Sequence, residues 1–313
     1  MSIATLTINP TIDTASRVAH VIVDRKLRCI EPTHQPGGGG INVTRVIKRL
    51  GGDSVPIYPA GGFSGRMLQH LLSLEGIDHR PVRIRGSTRQ DFTITEDASG
   101  RQYRFGMPGP RLTDRELKRT LDALRNVDPR PEVIVASGSL PLGVPEDFYA
   151  RVAAIAADLG ARLVVDASGE ALRQAVTAGV YMIKPNIREL CELSGGSAKD
   201  QWQVKEAAED IVRSDKVEIV VASMGSAGAL AVTKENQIHV RAPVVPVQSR
   251  VGAGDSLLGA MILAIAQGRG IRDALYRGVA ASSAAVMTPG TELCKREDAE
   301  RIYEMMISNV AED

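Results

Sequence analysis

Val251-Gly252-Ala253-Gly254-Asp255-Ser256 is the stretch from which the fold of this chain can be worked out. An irregular segment with Pro243 and Pro246 precedes it. A nearly unbroken run of helix formers, residues 257–266, follows it. This order predicts a loop, a glycine-rich turn and then a buried helix that begins near Gly254.

The glycines of this turn favour an anion-binding site. Gly252 and Gly254 allow a tight turn and the close approach of a ligand to the backbone. Together with Ala253 they supply the first amides of the helix, which have no partner inside it and carry the positive end of its dipole. Residues 252–254 are therefore predicted to form an anion hole.

Asp255 lies where that positive field is strongest, and two roles are open to it. Aspartate at a helix start commonly caps the helix or stabilises its dipole. It could instead accept the proton of a hydroxyl group that attacks a phosphoryl group held by the amides. Phosphoryl transfer needs little beyond positioning, charge stabilisation and such a base. The second role requires sugar and nucleotide sites elsewhere in the chain.

Bulk composition narrows the classes of protein. The 313 residues are 43% hydrophobic and only 4% aromatic, which suits a parallel sheet covered by helices. A net charge of +1 gives no reason to expect nucleic-acid or membrane binding. Ile3–Ile8 resembles a first strand rather than a signal peptide, and no apolar run reaches membrane-spanning length. Cys29, Cys191 and Cys294 lack metal-ligand spacing, so free thiols in a cytoplasmic protein are expected.

Strand and helix patterns alternate along most of the chain. Strands are expected at 3–8, 55–60, 133–136, 162–166, 181–184 and 217–222, and helices at 41–50, 65–74, 114–127, 146–159, 170–178, 187–193, 200–214, 254–267, 271–287 and 297–309. This alternation predicts βαβ units and one mostly parallel sheet, with ligands at the carboxyl ends of its strands.

Two β-prone patches, at about 13–33 and 88–108, do not fit that pattern. In the first, short pieces at 18–23 and 26–30 flank a turn at Asp24-Arg25. The second alternates polar and apolar residues, as half-exposed antiparallel strands do. We expect these patches to form a small antiparallel β lid on a single domain that spans residues 1–313.

Common nucleotide-binding fingerprints are absent from the sequence. There is no Gly-x-x-x-x-Gly-Lys-Ser/Thr motif, and the glycines at 37–40 do not complete Gly-x-Gly-x-x-Gly. A P-loop enzyme and a dehydrogenase with the usual dinucleotide fingerprint are therefore disfavoured.

Two stretches resemble the signatures of one family, the ribokinase-like (PfkB-type) sugar kinases. Gly37-Gly38-Gly39-Gly40-Ile41-Asn42-Val43-Thr44 resembles the first signature, and residues 251–256, about 210 positions later, resemble the second. The resemblance covers nearly the whole chain. It is strongest to the branch of minor bacterial 6-phosphofructokinases, for example at Ser137–Pro141 and Gly290–Cys294.

The resemblance implies a ribokinase-like three-layer α/β/α domain with a small β lid. It implies glycolytic, ATP-dependent phosphorylation of fructose 6-phosphate at its 1-hydroxyl to fructose 1,6-bisphosphate, with Mg²⁺ and a homodimer joined through the lids. Asp255 would be the general base, and residues 252–254 would stabilise the charge.

The resemblance also implies the substrate-binding residues. They are Asp13, Lys26, Arg28, Gly38, Gly39, Asn42, Arg89, Arg104 and Ser139, with Arg28 reaching in from the other subunit. Four of them are cations in the two lid patches, which suits a phosphorylated sugar, although surface cations are usually just solvated. Asp13 could otherwise stabilise a turn, and Asn42 could cap a helix.

For the nucleotide, the resemblance implies a second set of residues. They are Lys184, Asn186, Ser223, Gly225, Arg250, Gly252, Gly254, Ser283 and Thr288, with Glu189 and Asn186 organising Mg²⁺ through water. Asn186 and Glu189 also have the spacing of a capping box. Arg250 departs from the small hydroxyl residue that the family usually has there, and could either meet the nucleotide phosphates or face solvent.

Three other functions compete with this interpretation. A tagatose-6-phosphate kinase or a 1-phosphofructokinase of the same fold would use the lid cations equally well. A catalytically silent, nucleotide-binding regulatory protein belongs to a different class, and the retention of Asp255 beside Gly252 and Gly254 argues against it. A kinase of ribose or a nucleoside would have no use for the lid arginines.

Overall fold

The computed structural model describes residues 1–196 and 201–311. Its strands are β1 (Ile3–Leu6), β2 (Thr11–Val18), β3 (Thr33–Gly37), β4 (Val55–Ala60), β5 (Arg80–Arg83), β6 (Arg89–Glu96), β7 (Gln102–Phe105), β8 (Val133–Ser137), β9 (Arg162–Asp166), β10 (Val180–Ile183), β11 (Val217–Ser223), β12 (Ala229–Val232) and β13 (Gln237–Val240). Its α-helices are α1 (Gly39–Arg49), α2 (Gly62–Leu74), α3 (Asp114–Arg125), α4 (Phe148–Leu159), α5 (Gly169–Ala178), α6 (Ile187–Ser194), α7 (Gln201–Arg213), α8 (Ala253–Ala266), α9 (Ile271–Val286) and α10 (Arg296–Ala311).

The main sheet has nine strands in the order β13-β12-β11-β10-β9-β8-β1-β4-β5. Its strands from β11 to β5 pair in parallel, whereas β12 and β13 add an antiparallel edge. Central strands such as β8 are buried throughout, because helices cover both faces of the sheet. The expected three-layer α/β/α architecture with a mostly parallel sheet is confirmed.

Helix α8 lies in one of the two buried layers, packed against α1 and α9. Every residue from Ser256 to Ile265 is buried, which is why its sequence is apolar all round. A Cβ at Gly259 would lie 2.7 Å from Val46 Cγ1, so this glycine permits the close approach of α8 to α1. The opposite layer consists largely of α3 to α7.

The lid is a separate four-stranded sheet in the order β3-β2-β6-β7. Its two outer pairs are antiparallel as expected, and the central pair, β2 with β6, is parallel. The strands expected at 18–23 and 26–30 were placed wrongly. The register of β2 with β6 ends at Val18, opposite Glu96, so the chain beyond has no strand to pair with. Residues 19–32 form an exposed segment in which Asp24 makes the expected turn at φ 58°.

Other departures from the expected elements are small. Strand β5 was missed because Arg80-Pro81-Val82-Arg83 has neither a β-branched run nor alternation, and it is recognised only as the sheet's edge. The expected start of α7 at residue 200 lies outside the described residues. Within the described ranges, we find no helix with the length and apolar character needed to cross a membrane.

Candidate active site

Two signature segments that are far apart in sequence meet at the starts of α1 and α8. The glycine run leads into α1, which begins at Gly39, and the second motif leads into α8, which begins at Ala253. Asn42 Nδ2 donates a hydrogen bond to Asp255 Oδ2 at 2.9 Å. Because the side chain of Asn42 bonds across to α8, it does not act as the cap of its own helix.

The glycine turn has the geometry of an anion site. Gly252 adopts φ 75°, and a Cβ there would also lie 2.5 Å from Leu293 Cδ2. A Cβ at Gly254 would lie 3.4 Å from Lys184 Nζ, so an ammonium group stands beside the first amides of α8. This ammonium adds a full positive charge to the partial charges of the helix start.

Lys184 is held by Asp166, a residue to which the sequence argument gave no role. The two side chains form a 3.1 Å ion pair in which Lys184 is 7% exposed. Burial acts to lower the pKa of Lys184, but the attraction and hydrogen bond of Asp166 outweigh it, and the pKa is raised. Asp166 also accepts a hydrogen bond from Ser137 Oγ at 3.3 Å. Its position at the end of β9, on the edge where ligands bind, was the available signal.

Asp255 has the electrostatics of a base for neutral pH. Burial raises its pKa from 3.8 to about 6, and the charge of Asp166 acts in the same direction. The hydrogen bond from Asn42 and the charge of Lys184 limit the rise. A carboxylate with this pKa is mostly ionised at pH 7 and still able to take a proton.

Asp13 lies on the other side of the same cleft, on β2. Its pKa is raised to about 6 by burial and then by the neighbouring charge of Asp91, while Arg89 opposes the rise. A Cβ at Gly37 would lie 2.2 Å from Asp13 Oδ2, so the absence of a side chain at Gly37 makes room for the carboxylate. The charge of Asp255 also contributes to the raised pKa of Asp13, which places the two carboxyl groups in one electrostatic environment.

Arg89 lies at the start of β6, and only part of its guanidinium group is hydrogen-bonded within the described residues. Its Nη1 lies 2.5 Å from Asp91 Oδ2, and its Nη2 donates to Asn9 O at 3.3 Å. Its Nε is buried and has no hydrogen-bond partner among the described residues, which is unusual for a charged donor. An anionic ligand would satisfy such a group.

Asn9 and Asp91 connect the residues on the Asp13 side of the cleft, and the sequence argument missed both. Asn9 Nδ2 donates to Ser139 Oγ at 3.0 Å, which ties Ser139 to the residue that holds Arg89. Asp91 accepts from Met107 N at 2.8 Å as well as from Arg89. No local motif marks either residue, because each acts through a partner remote in sequence.

A buried arginine behind the site was also missed. Arg45, on α1, has a side chain that is only 1% exposed and is paired with Glu75 at 2.7 Å. It also donates to Pro36 O at 2.8 Å, just ahead of the glycine run. Its charge lowers the pKa values of Asp13 and Asp255 against the effect of burial. Arg45 therefore helps to keep both carboxyl groups ionisable.

Among the other predicted lid cations, Arg104 lies on the same face of the lid sheet as Asp13. Arg104 on β7 pairs in register with Thr93, which shares a sheet face with Asp91 and hence with Asp13. Lys26 and Arg28 lie on the exposed segment 19–32, and neither forms a hydrogen bond or ion pair within residues 1–196 and 201–311. No hydrogen bond or ion pair among the described residues therefore ties Lys26 or Arg28 to Asp13 or Arg89.

A cavity of about 620 Å³ adjoins the glycine turn. Of the predicted nucleotide residues, the structure places five on its wall: Ser223, Gly225, Arg250, Gly254 and Ser283. Apolar side chains of the 242–247 segment and α9 line the remainder. Thr288 does not line the cavity, because it is buried and its hydroxyl donates to Ala285 O at 2.7 Å.

Asn186 and Glu189 form the capping box of α6. Asn186 Oδ1 accepts from Glu189 N at 3.0 Å, and Glu189 Oε2 accepts from Asn186 N at 2.9 Å. Glu189 Oε1 accepts no hydrogen bond in the described part of the chain, and its charge contributes to the raised pKa of Lys184. Among the described residues no group of three or more His, Cys, Asp or Glu could hold a metal ion.

Comparison with known proteins shows the family to which the chain is related. Residues 6–298 match the pfkB family of carbohydrate kinases. The chain is 41% identical to ATP-dependent 6-phosphofructokinase isozyme 2 of Escherichia coli strain K12, over 96% of this chain and 97% of that protein. It is 40% identical to the isozyme of the same name from Mycobacterium tuberculosis strain H37Rv, over 97% and 89%. Identity to the 1-phosphofructokinase of Bacillus subtilis strain 168 is 30%, over 93% and 95%.

Solved structures give the same relationship. Phosphofructokinase-2 of Escherichia coli, in complex with substrates and products, matches with a TM-score of 0.94 at 40% identity, over 98% of this chain and 100% of that one. Arabidopsis thaliana ribokinase matches at 17% identity with a TM-score of 0.76, over 97% and 98%, and shows the shared fold alone. With its two glycine signatures meeting at Asp255, the chain belongs to the pfkB family of carbohydrate kinases.

Proposed function

We propose that this chain is an ATP-dependent 6-phosphofructokinase, which converts fructose 6-phosphate to fructose 1,6-bisphosphate in glycolysis. The observation that carries the proposal is the position of Asp255, which lies in the first turn of α8, accepts a hydrogen bond from Asn42 and shares an electrostatic environment with Asp13. The higher identity to the 6-phosphofructokinases, at 40–41%, than to a 1-phosphofructokinase, at 30%, supports the choice of substrate.

In the proposed complex, ATP occupies the cavity beside the glycine turn. Its adenine would lie between the apolar 242–247 segment and α9, and its phosphates would lie at residues 252–254 and Lys184. Mg²⁺ would enter with the nucleotide, and the free oxygen of Glu189 would contact it through water. Ser223, Gly225 and Arg250, which line this cavity, would meet the phosphate oxygens.

Fructose 6-phosphate would bind on the lid side. Asp13 would accept hydrogen bonds from two sugar hydroxyls, and Ser139 would add a further contact. The buried Nε of Arg89 would bind the 6-phosphate, with Arg104 on the same face of the lid. This arrangement directs the 1-hydroxyl toward Asp255.

The chemical step uses groups already in place. Asp255 takes the proton of the 1-hydroxyl as its oxygen bonds to the γ-phosphorus, and the bond from that phosphorus to the leaving oxygen of ADP breaks. The amides of residues 252–254 and the ammonium of Lys184 stabilise the charge on the transferred group. Asn42 holds the carboxylate of Asp255 in position through the 2.9 Å hydrogen bond.

We also propose that two chains pair through their lids. Phe92 and Phe105 are register partners on adjacent strands and are 36% and 51% exposed, so they form an apolar patch on the lid face away from the site. Exposed apolar residues of the 19–32 segment, including Val23, add to it. Pairing would bring Lys26 and Arg28 of one chain to the sugar site of the other. The cytoplasmic location stays a prediction from the free cysteines.

A coupled assay of ADP release with Mg²⁺-ATP tests the proposal. The acceptors are fructose 6-phosphate, tagatose 6-phosphate, fructose 1-phosphate, ribose and adenosine, and the readout is the ratio of kcat/KM values. We expect a clear preference for fructose 6-phosphate. Preference for another phosphosugar would keep the mechanism and change the substrate. No turnover in a folded protein that binds ATP would favour the regulatory role.

A further inference from the structure

An arginine-rich cleft lies apart from the active site, at the outer edge of the main sheet. It is a cavity of about 1090 Å³ between α2, β5 and α3, and it shares no lining residue with the nucleotide cavity. Its arginines come from three parts of the chain: Arg66 on α2, Arg83 and Arg85 on and just after β5, and Arg115 and Arg119 on α3. We refer to it as the arginine cleft.

None of these five guanidinium groups forms an ion pair with a carboxylate in the described part of the chain. Other arginines nearby behave differently, since Arg80 pairs with Asp78 and Arg89 pairs with Asp91. The net charge of the whole chain is only +1, so five unpaired positive charges around one cavity are a local excess. These positive charges repel one another, and an anion that enters the cleft relieves the repulsion.

The single carboxylate that lines the cleft is already engaged. Glu116 Oε1 accepts from Arg85 N at 2.7 Å, and Glu116 Oε2 accepts from Thr113 N at 2.9 Å and Thr113 Oγ1 at 2.8 Å. These bonds complete the capping box of α3 and anchor the chain after β5. Glu116 therefore orders the walls of the cleft and does not form an ion pair with any of the arginine side chains.

Protection of the sheet edge accounts for only part of the cluster. Cations on an edge strand such as β5 discourage pairing with another chain, which explains Arg83. Arg119 Nη2 donates to Arg83 O at 2.7 Å and so covers one edge carbonyl. Neither function requires Arg66 or Arg115, which lie on helices at two sides of the same cavity.

The start of α2 adds to the positive field. Helix α2 has 13 residues, begins at Gly62 and has no side-chain cap, and Gly61 and Gly62 both line the cleft. Its first amides are therefore available to an anion that the arginines attract. The volume of about 1090 Å³ exceeds what a single phosphate fills and lies just above the usual range of small-molecule sites, which is about 300–1,000 Å³.

We propose that the arginine cleft is a second anion site, which binds a small molecule that carries two or more phosphate groups. One phosphate would leave most of the five positive charges uncompensated, whereas a bisphosphate or polyphosphate would match them. Guanidinium groups suit this ligand class, because each can make two parallel hydrogen bonds to phosphate oxygens. The proposal does not depend on the identity of the sugar substrate.

Isothermal titration with inorganic tripolyphosphate in Mg²⁺-free buffer tests the proposal on the whole protein. The variant Arg66→Gln/Arg115→Gln removes two cleft charges, and Arg272→Gln/Arg301→Gln removes two exposed charges on α9 and α10 as a matched control. Arg250→Gln removes a positive charge from the nucleotide cavity and so tests whether tripolyphosphate binds there. Each substituted side chain is exposed, so thermal unfolding should stay near that of the parent. Arg85→Gln provides a second probe of the same cleft.

We expect a tripolyphosphate site that survives in Arg250→Gln and in the matched control. Its Kd should weaken at least about tenfold in Arg66→Gln/Arg115→Gln and also rise in Arg85→Gln. Equal weakening in the matched control would mean general charge attraction and would overturn the proposal. Undetectable binding to the parent, unchanged binding in the cleft variants, or complete loss in Arg250→Gln would overturn it too.

Discussion

Asp255 is a carboxylate whose surroundings act on its pKa in opposite directions. Burial and Asp166 disfavour its charge, whereas Asn42, Lys184 and Arg45 favour it, and the resulting pKa is about 6. At pH 7 the group is therefore ionised in a place that does not fully stabilise the charge. A base of this kind gains from protonation, which is what the proposed reaction supplies.

Replacing this carboxylate should remove most of the turnover. In Asp255→Asn the side chain keeps its shape and an oxygen for the hydrogen bond from Asn42, but it cannot accept the hydroxyl proton. We expect kcat to fall by about 10²–10⁴-fold with little change in ATP binding. Steady-state kinetics and nucleotide titration measure the two effects. Near-normal turnover would show that Asp255 is not the base.

The same substitution should stabilise the fold at neutral pH. The pKa of Asp255 is raised on folding from 3.8 to about 6, so the protonated form is favoured in the folded chain. The stability that depends on this proton is fully present below pH 3.8 and is lost as the pH rises through 6. Above pH 6 the ionised group costs at most about 3 kcal/mol, a cost that asparagine avoids.

Urea unfolding at pH 7.5 and pH 4.5 checks this prediction. Asp255→Asn should have a higher free energy of unfolding than the parent at pH 7.5, and the difference should shrink clearly at pH 4.5. The exposed Asp158→Asn serves as a control and should change stability little at either pH. Lower stability of Asp255→Asn at both values would mean that its charge is well stabilised after all.

At the scale of elements, the start of α8 depends on a glycine for two separate reasons. Gly252 combines a positive φ of 75° with a lack of space, since a Cβ would lie 2.5 Å from Leu293 Cδ2. Gly268, just beyond the same helix, has a similar φ of 81° with nothing within 4 Å of the added carbon. Substitutions at Gly252 and Gly268 therefore separate the cost of the left-handed backbone from the effect of the collision with Leu293.

Gly252→Ala should therefore be worse than Gly268→Ala. Both should lose about 1 kcal/mol of unfolding free energy from the left-handed conformation. Only Gly252→Ala should also displace Leu293 and the first amides of α8, and we expect its KM for ATP to rise at least about tenfold. Thermal unfolding and ATP kinetics on both variants test this. Equal KM values would argue against phosphate binding at this turn.

At the scale of the whole molecule, we propose that the lid of a second chain completes the sugar site. Lys26 and Arg28 lie on an exposed segment, and the apolar pair Phe92 and Phe105 covers the face of the lid away from the site. A second lid packed on this patch would bury the apolar surface and supply the two cations.

Phe105→Asp should break this pairing. Burying an unpaired carboxylate at the interface is costly, so we expect monomers in sedimentation velocity and a KM for fructose 6-phosphate raised several-fold. Leu74→Asp, at a residue 70% exposed at the end of α2, is the matched control and should leave both unchanged. An unchanged oligomeric state in Phe105→Asp would place the interface elsewhere.

The sequence by itself determined most of the regular elements and predicted the reaction centre. The periodicity of the hydrophobic residues and the turn residues predicted the bounds of α8, β4 and β9 closely. These elements are buried, and each has a strong local pattern. The glycine turn and Asp255 could be interpreted locally, since an anion site at a helix start requires only consecutive residues. Resemblance to the family supplied the sugar and nucleotide residues, which no local pattern distinguishes from caps and solvated charges.

Tertiary structure alone decided how distant residues act on one another. The ion pair of Asp166 with Lys184, the unused Nε of Arg89 and the pKa of Asp255 all depend on neighbours remote in sequence. The edge strand β5 and the true lid strands depend on which strands are available to pair, not on their own composition. Burial and charge act through space, so their effects on these groups appear only once the chain is folded.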